Sequence, residues 1–127
     1  MSHLLPGKRV LIVEDNPIIA YDISDLVEDT GAEPVGPALD LATGLRLATE
    51  NQLDAALLDI DLGGEFVWPI AEALDRHEVP YAFVSAQCSA DVMPEGFRAR
   101  PRIYKPAKPS DIVDALVGFA GKSKDVA

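Results

Sequence analysis

The chain is short of basic charge. Its 127 residues hold 11 Lys and Arg against 21 Asp and Glu, for a formal net charge of -10 and a pI near 4.4. Binding to a nucleic-acid backbone or an anionic membrane needs a basic face, so neither partner is expected. Metal cations and basic proteins remain open. A single cysteine, Cys88, rules out an internal disulfide and fits a reducing, cytoplasmic compartment. No run approaches the ~18 apolar residues of a membrane span. No apolar signal core precedes the first strand. Histidine is scarce as well: His3 lies in the leading segment and His77 ends a helix, neither beside residues that suggest catalysis or metal binding. Repeats, linkers and low-complexity segments are missing too.

What is present is ordinary for one globular domain: 48% hydrophobic and 25% charged residues. The domain is expected over residues 8–121, with 1–7 and 122–127 as flexible ends. The stretch that organises it is Leu53 to Gly64, Leu-Asp-Ala-Ala-Leu-Leu-Asp-Ile-Asp-Leu-Gly-Gly. Ala55 to Leu58 is apolar without alternation, as in a central strand buried on both faces. It runs into Asp59, a carboxylate that does nothing for packing and is costly to bury. Asp is also common as a helix or turn cap, so this stretch alone leaves Asp59 undecided.

The rest of the chain repeats the theme. Arg9 to Val13 is a second apolar strand and ends in Glu14-Asp15. Asn16-Pro17 supplies an N-cap and a first-turn proline for a helix bearing Ile19, Ile23, Leu26 and Val27, closed by Gly31. Glu33 to Gly36 is a weak edge strand, because of its proline. Asp40 to Thr49 reads as a helix. Phe66 to Asp75 reads as another, with Pro69 in its first turn. Tyr81 to Val84 is a fourth strand, exiting at Ser85. Residues 86–100 are irregular, with at most a short helix around Ala90 to Phe97. Arg102 to Tyr104 is a fifth strand, exiting at Lys105-Pro106. A last helix starts near Pro109 or Ser110, with Ile112, Val113, Leu116, Val117 and Ala120 on its apolar face. Five strands alternating with five helices predict an α/β, flavodoxin-like (βα)5 domain with a doubly wound parallel sheet in the order 2-1-3-4-5.

Ligands of such sheets bind at the carboxyl ends of the strands. There the sequence puts Glu14, Asp15, Asp59, Ser85 and Lys105. Three neighbouring carboxylates need a cation, and their oxygens suit Mg²⁺. A carboxylate can also be the nucleophile toward phosphorus, giving an aspartyl phosphate. Mg²⁺, a lysine and a hydroxyl would then neutralise and orient the phosphoryl oxygens. The central position of Asp59 makes it the best nucleophile. Glu14 and Asp15 become metal ligands, directly or through water, and Lys105 the cation that pairs with Asp59 or with phosphate.

These residues carry a resemblance. Val-Glu-Asp-Asn (13–16), Leu-Leu-Asp-Ile-Asp-Leu-Gly-Gly (57–64), Val-Ser-Ala (84–86) and Tyr-Lys-Pro (104–106) resemble the receiver domains of two-component response regulators, over about residues 8–120. The resemblance implies phosphoryl transfer to Asp59 from a histidine kinase or a histidine phosphotransfer protein. The phosphohistidine then belongs to another protein. It also implies Mg²⁺ held by Asp15, Asp59 and the backbone carbonyl of Asp61, with Glu14 acting through water and the Asp61 side chain free to vary. A receiver is not an enzyme beyond its own phosphorylation and dephosphorylation. It signals by binding a downstream protein, here as a monomer or weak homodimer.

Ser85 stands where many receivers have threonine. Arg102 stands where the usual switch aromatic lies, and Tyr104 is expected on the other face of its strand. The stretch 93–101 resembles a subgroup of stand-alone receivers with a reduced fourth helix. No segment is left over for an output domain, so a single-domain regulator or an excised receiver is expected. Two other readings compete. Asp59-Ile-Asp61 resembles the nucleophile pair of haloacid-dehalogenase-type phosphatases, although the order of the acidic motifs is reversed here. A pseudo-receiver that never takes phosphate is the other. Trp68 is expected to pack on a helix face near the site, and Cys88 to be inert.

Overall fold

The computed structural model describes residues 4–86 and 93–121; Cys88 and His3 lie outside them. Five parallel strands form the central sheet in the order β2-β1-β3-β6-β7. They are β1 (Arg9–Val13), β2 (Glu33–Ala38), β3 (Ala55–Leu58), β6 (Tyr81–Ser85) and β7 (Arg102–Tyr104). This is the expected 2-1-3-4-5 order, with β6 and β7 as fourth and fifth strands. The helices are α1 (Pro17–Asp29), α2 (Leu41–Glu50), α3 (Trp68–Arg76) and α4 (Pro109–Gly121).

The unbroken apolar runs serve two cores at once, because successive side chains on a strand point to opposite faces. Leu11, Val13, Ala56, Leu58, Tyr81 and Phe83 face the layer of α2 and α3. Val10, Ile12, Ala55, Leu57, Ala82 and Val84 face the layer of α1 and α4. Caps start the helices where expected: Asn16 Oδ1 accepts the N–H of Ile18 at 2.9 Å, and Asp40 Oδ1 that of Thr43 at 2.7 Å.

The structure corrects three expectations and keeps a fourth, that residues 86–100 hold at most a short helix, as far as the described residues show. Phe66 is not helical. Asp61–Leu62 (β4) and Glu65–Phe66 (β5) form a small antiparallel hairpin instead, around Gly63 and Gly64 at φ 70° and 98°. Val67 N–H, bonded to Ile60 C=O at 2.9 Å, closes its base, so α3 starts only at Trp68. The fourth helix is reduced to one 3-10 turn, Glu95–Phe97, among the described residues; Pro94, in extended backbone, precedes it. On α4, Val117 is exposed, while Phe119 packs against the core. Finally, the leading segment is not wholly loose. Leu5 is buried, and its N–H bonds Thr30 C=O at 2.9 Å.

Gly44 marks the tightest helix approach. A Cβ there would lie 2.6 Å from Ile70 Cδ1 and 3.3 Å from Val13 Cγ2, both on buried residues. Gly118, on the exposed side of α4, would meet nothing within 4 Å. Two substitutions of glycine within helices should therefore act oppositely. Gly44→Val should destabilise by roughly 1–3 kcal/mol through overpacking. Gly118→Ala should stabilise by roughly 0.5–1 kcal/mol through helix propensity. Thermal melts followed by circular dichroism test both signs.

Candidate functional site

β1 and β3 are adjacent, and the chain leaves them in opposite directions across the sheet, opening a crevice at their carboxyl ends. The sequence puts acids at both exits. The backbone fixes them there: Glu14 N–H bonds Ala38 C=O at 2.9 Å, and Asp59 N–H bonds Val13 C=O at 2.8 Å. Glu14, Asp15 and Asp59 each offer a carboxylate oxygen, all within 4.8 Å of one another. Glu14 and Asp59 are buried, at 2% and 6% exposure, while Asp15 is open to solvent. The turn into α1 folds Glu14 inward, its Oε2 accepting the N–H of Asn16 at 3.1 Å.

Lys105 supplies the positive charge. Its Nζ lies 2.8 Å from Glu14 Oε1 and 3.4 Å from Asp59 Oδ2. Burial works against the lysine charge, but Glu14 and Asp59 outweigh it and hold its pKa above the usual value. One cation does not balance three carboxylates. Burial, then repulsion from Glu14, pushes the Asp59 carboxyl up to about 7, with Lys105 pulling the other way. Ser85 ends β6 beside Lys105, whose N–H bonds the Ser85 carbonyl at 2.9 Å. Its hydroxyl is buried and has no hydrogen-bond partner among the described residues.

Asp15, Asp59, Asp61, Gly63, Gly64 and Lys105 line a cleft of about 330 Å³. A larger cavity of about 400 Å³ lies at the opposite end of the sheet, between Leu5, Leu53, Val79 and Phe119. It is larger, but its acids Asp54, Asp75 and Glu78 form no metal-holding cluster among the described residues, so the chemistry points to the smaller cleft. The structure thus brings together Glu14, Asp15, Asp59, Asp61 and Lys105, and sets Ser85 next to them. Arg102 and Tyr104 stay apart: the guanidinium sits 5.8 Å over the Tyr104 ring, which is 45% exposed. The reading of the sequence overlooked the hairpin wall of the cleft. The Asp61 side chain is not idle there, because its Oδ1 accepts the Gly64 N–H at 2.8 Å. Adjacent glycines between two short runs are a signal for a two-residue hairpin turn and could have revealed it.

Fold and site together define an α/β protein of the doubly wound class with an acidic, lysine-bearing cleft at its switch point. No protein-family model matches the chain. Individual proteins do. SdrG from Sphingomonas melonis Fr1, solved in solution, is 35% identical, with a TM-score of 0.77 over 94% of this chain and 99% of that one. The phyllosphere-induced regulator PhyR of Methylorubrum extorquens is 31% identical over 113 residues, 82% of this chain and 40% of PhyR. The receiver domain of the sensor kinase PA1611 from Pseudomonas aeruginosa shares the fold, with a TM-score of 0.77 at 22% identity over 91% of this chain and 98% of that one. It holds a magnesium ion coordinated in its active-site cleft. The chain belongs to the receiver domains of two-component response regulators. It spans about 40% of the length of the first curated relatives it matches.

The crowded acids have a consequence for stability. An ordinary Asp titrates near 3.8, and folded, metal-free Asp59 near 7. Between these values the folded state keeps a proton that the unfolded chain has lost, so this group's contribution to stability falls as pH rises from about 4 to 7. On a scale of ~1.4 kcal/mol per tenfold change in proton affinity, the loss is up to roughly 4 kcal/mol. Metal-free Asp59→Asn should therefore melt several degrees above wild type at pH 8, and the gap should close toward pH 4. Adding Mg²⁺ at pH 8 should raise the wild-type melting temperature. Differential scanning fluorimetry across pH, with and without Mg²⁺, measures all three.

Proposed function

We propose that this chain is a phosphoacceptor: Asp59 takes a phosphoryl group from phosphohistidine, with Mg²⁺, and the phosphorylated form signals by binding a partner protein. The observation that carries this is the meeting of Asp59 with two further acids, one lysine and a buried hydroxyl that has no partner of its own. The donor set is all oxygen and partly solvated, as a hard divalent cation requires. Asp15, Asp59 and the Asp61 carbonyl would hold the metal, with Glu14 acting through water. The PA1611 receiver, with its bound magnesium, supports the assignment. When bound, the metal supplies positive charge that keeps Asp59 ionised and neutralises phosphoryl oxygens.

In the transfer, an ionised Asp59 oxygen bonds phosphorus as the phosphorus–nitrogen bond to histidine breaks. The electron pair leaves with the imidazole, which takes up a proton. Lys105 moves from its contacts with Asp59 and Glu14 to the new phosphoryl oxygens. The Ser85 hydroxyl gains there the acceptor it lacks. Charge compensation and orientation of this kind are the main catalytic resources in phosphoryl transfer. Acetyl phosphate with Mg²⁺ should label wild type and leave Asp59→Asn unlabelled in phosphate-affinity electrophoresis. Equal labelling of the variant would refute the assignment. Lys105→Ala should label at least tenfold more slowly.

The donor would dock beside the cleft on the first turns of α1. Ile18 and Tyr21 are 75% and 56% exposed there, close in sequence to Asp15. Ile18→Ser should slow transfer from a cognate histidine kinase or phosphotransfer protein, yet leave labelling by acetyl phosphate unchanged. For the output, PhyR of Bartonella quintana is an anti-anti-sigma factor. A protein partner of that regulatory kind suits this chain, whose acidity disfavours nucleic acid.

A further inference from the structure

The hairpin that walls the cleft also reaches away from it. Asp61 pairs across the hairpin with Phe66. Phe66 stacks on Trp68, with ring centroids 5.8 Å apart and planes at 22°. On its other side Trp68 stacks on Phe97 at 5.4 Å and 11°. Phe83 of β6 closes the group, edge-on to both Trp68 and Phe97. One indole is thus held between a ring of the hairpin and a ring of the 3-10 turn. The hairpin is rooted at its base, while half-exposed Phe66 leaves its outer strand to the stack with Trp68. Ile60, Leu62 and Val67 are buried, and Asp61 Oδ1 ties the turn at Gly64 N–H. The turn also abuts the acids, since a Cβ on Gly63 would lie 4.0 Å from Asp15 Oδ2.

Among the described residues, the far end of this ladder has few other attachments. Around the 3-10 turn, the buried side chains are Met93 and Phe97. Arg98 Nε donates to the local Met93 carbonyl at 3.2 Å. Arg100 ties the end of the segment to Asp75 at 2.8 Å and to the Tyr81 hydroxyl at 3.2 Å, on the side away from the cleft. Packing of Phe97 on Trp68 is therefore a main restraint joining residues 93–98 to the site end of the molecule. Stacked aromatic pairs add attraction beyond their burial, enough to set the position of a short hairpin.

We propose that Phe97 is a positioning residue for the metal site. Through Trp68 and Phe66 it holds the β4–β5 hairpin, and with it the Asp61 carbonyl, in the place that Mg²⁺ requires. This rests on the receiver reading above. By thermodynamic reciprocity, metal binding must in turn order residues 93–98, so cleft and segment are linked in both directions.

The test is a Mg²⁺ titration of full-length protein, followed by the amide resonances of Gly63 and Gly64. Phe97→Leu should weaken Mg²⁺ binding roughly three- to tenfold. Phe97→Tyr, which keeps the stacked ring, should bind within about twofold of wild type. Ile112→Val removes a methyl from the opposite core layer, so it destabilises the fold without touching the ladder. It should bind as wild type does, separating positioning from general loss of stability. In wild type, Mg²⁺ should slow amide hydrogen exchange of residues 95–98, and Phe97→Leu should abolish that effect. If Phe97→Leu binds Mg²⁺ as tightly as wild type, the positioning role is wrong while the receiver reading survives. If wild type binds no Mg²⁺, both fall.

Discussion

Everything at the site follows from repulsion among three carboxylates that share one lysine. Glu14, Asp15 and Asp59 converge within 4.8 Å, and two of them are buried. Such a cluster opposes folding, because buried like charges cannot all stay ionised at low energy. The fold tolerates it because Lys105 pairs with two of the acids and because Asp59 holds a proton up to about pH 7. Strain of this kind is what a cation bound among the acids would relieve. Under the proposed function, a metal would relieve the acids, and a phosphoryl group would take over the lysine and the Ser85 hydroxyl.

The scaffold makes that tension affordable. Two apolar cores on either side of a five-stranded parallel sheet provide the burial, and backbone bonds between strands hold the exits that carry Glu14 and Asp59 side by side. Neighbouring strands lie ~4.8 Å apart, so acids at the exits of β1 and β3 are forced into mutual range. The hairpin after β3 then closes the cleft from one side. Its Gly-Gly turn takes left-handed backbone, φ 70° and 98°, which other residues rarely adopt, and brings the turn up to Asp15.

Much of this was legible in the chain. Apolar runs without alternation told of strands covered on both faces, and three of them led into Glu14, Asp59 and Ser85 at the cleft end of the sheet. The Asn16-Pro17 and Asp40 caps marked helix starts that the structure repeats. The misreadings share a cause: local patterns that tertiary packing overrode. Phe66 continues a plausible helical stripe, but Gly63 and Gly64 take left-handed conformations and turn it into a strand partner of Asp61. Val117 fits the apolar stripe of α4 on paper, yet the helix is rolled so that Phe119 packs inward. Leu5 looked like part of a loose end because only the assembled α1–α4 layer offers it a place to be buried.

The order of residues by itself determined the chemistry available: which acids, which lysine and which hydroxyl stand at strand exits, and that the sheet is parallel and doubly wound. These are short-range facts, set by periodicity, caps and the handedness of crossovers. Only the tertiary structure decided how far apart the charged atoms lie, which way the Asp61 side chain turns, and that Trp68 is clasped between rings 31 residues apart in the chain, Phe66 and Phe97. Distances between groups remote in sequence depend on the packing of whole layers. No local pattern encodes them.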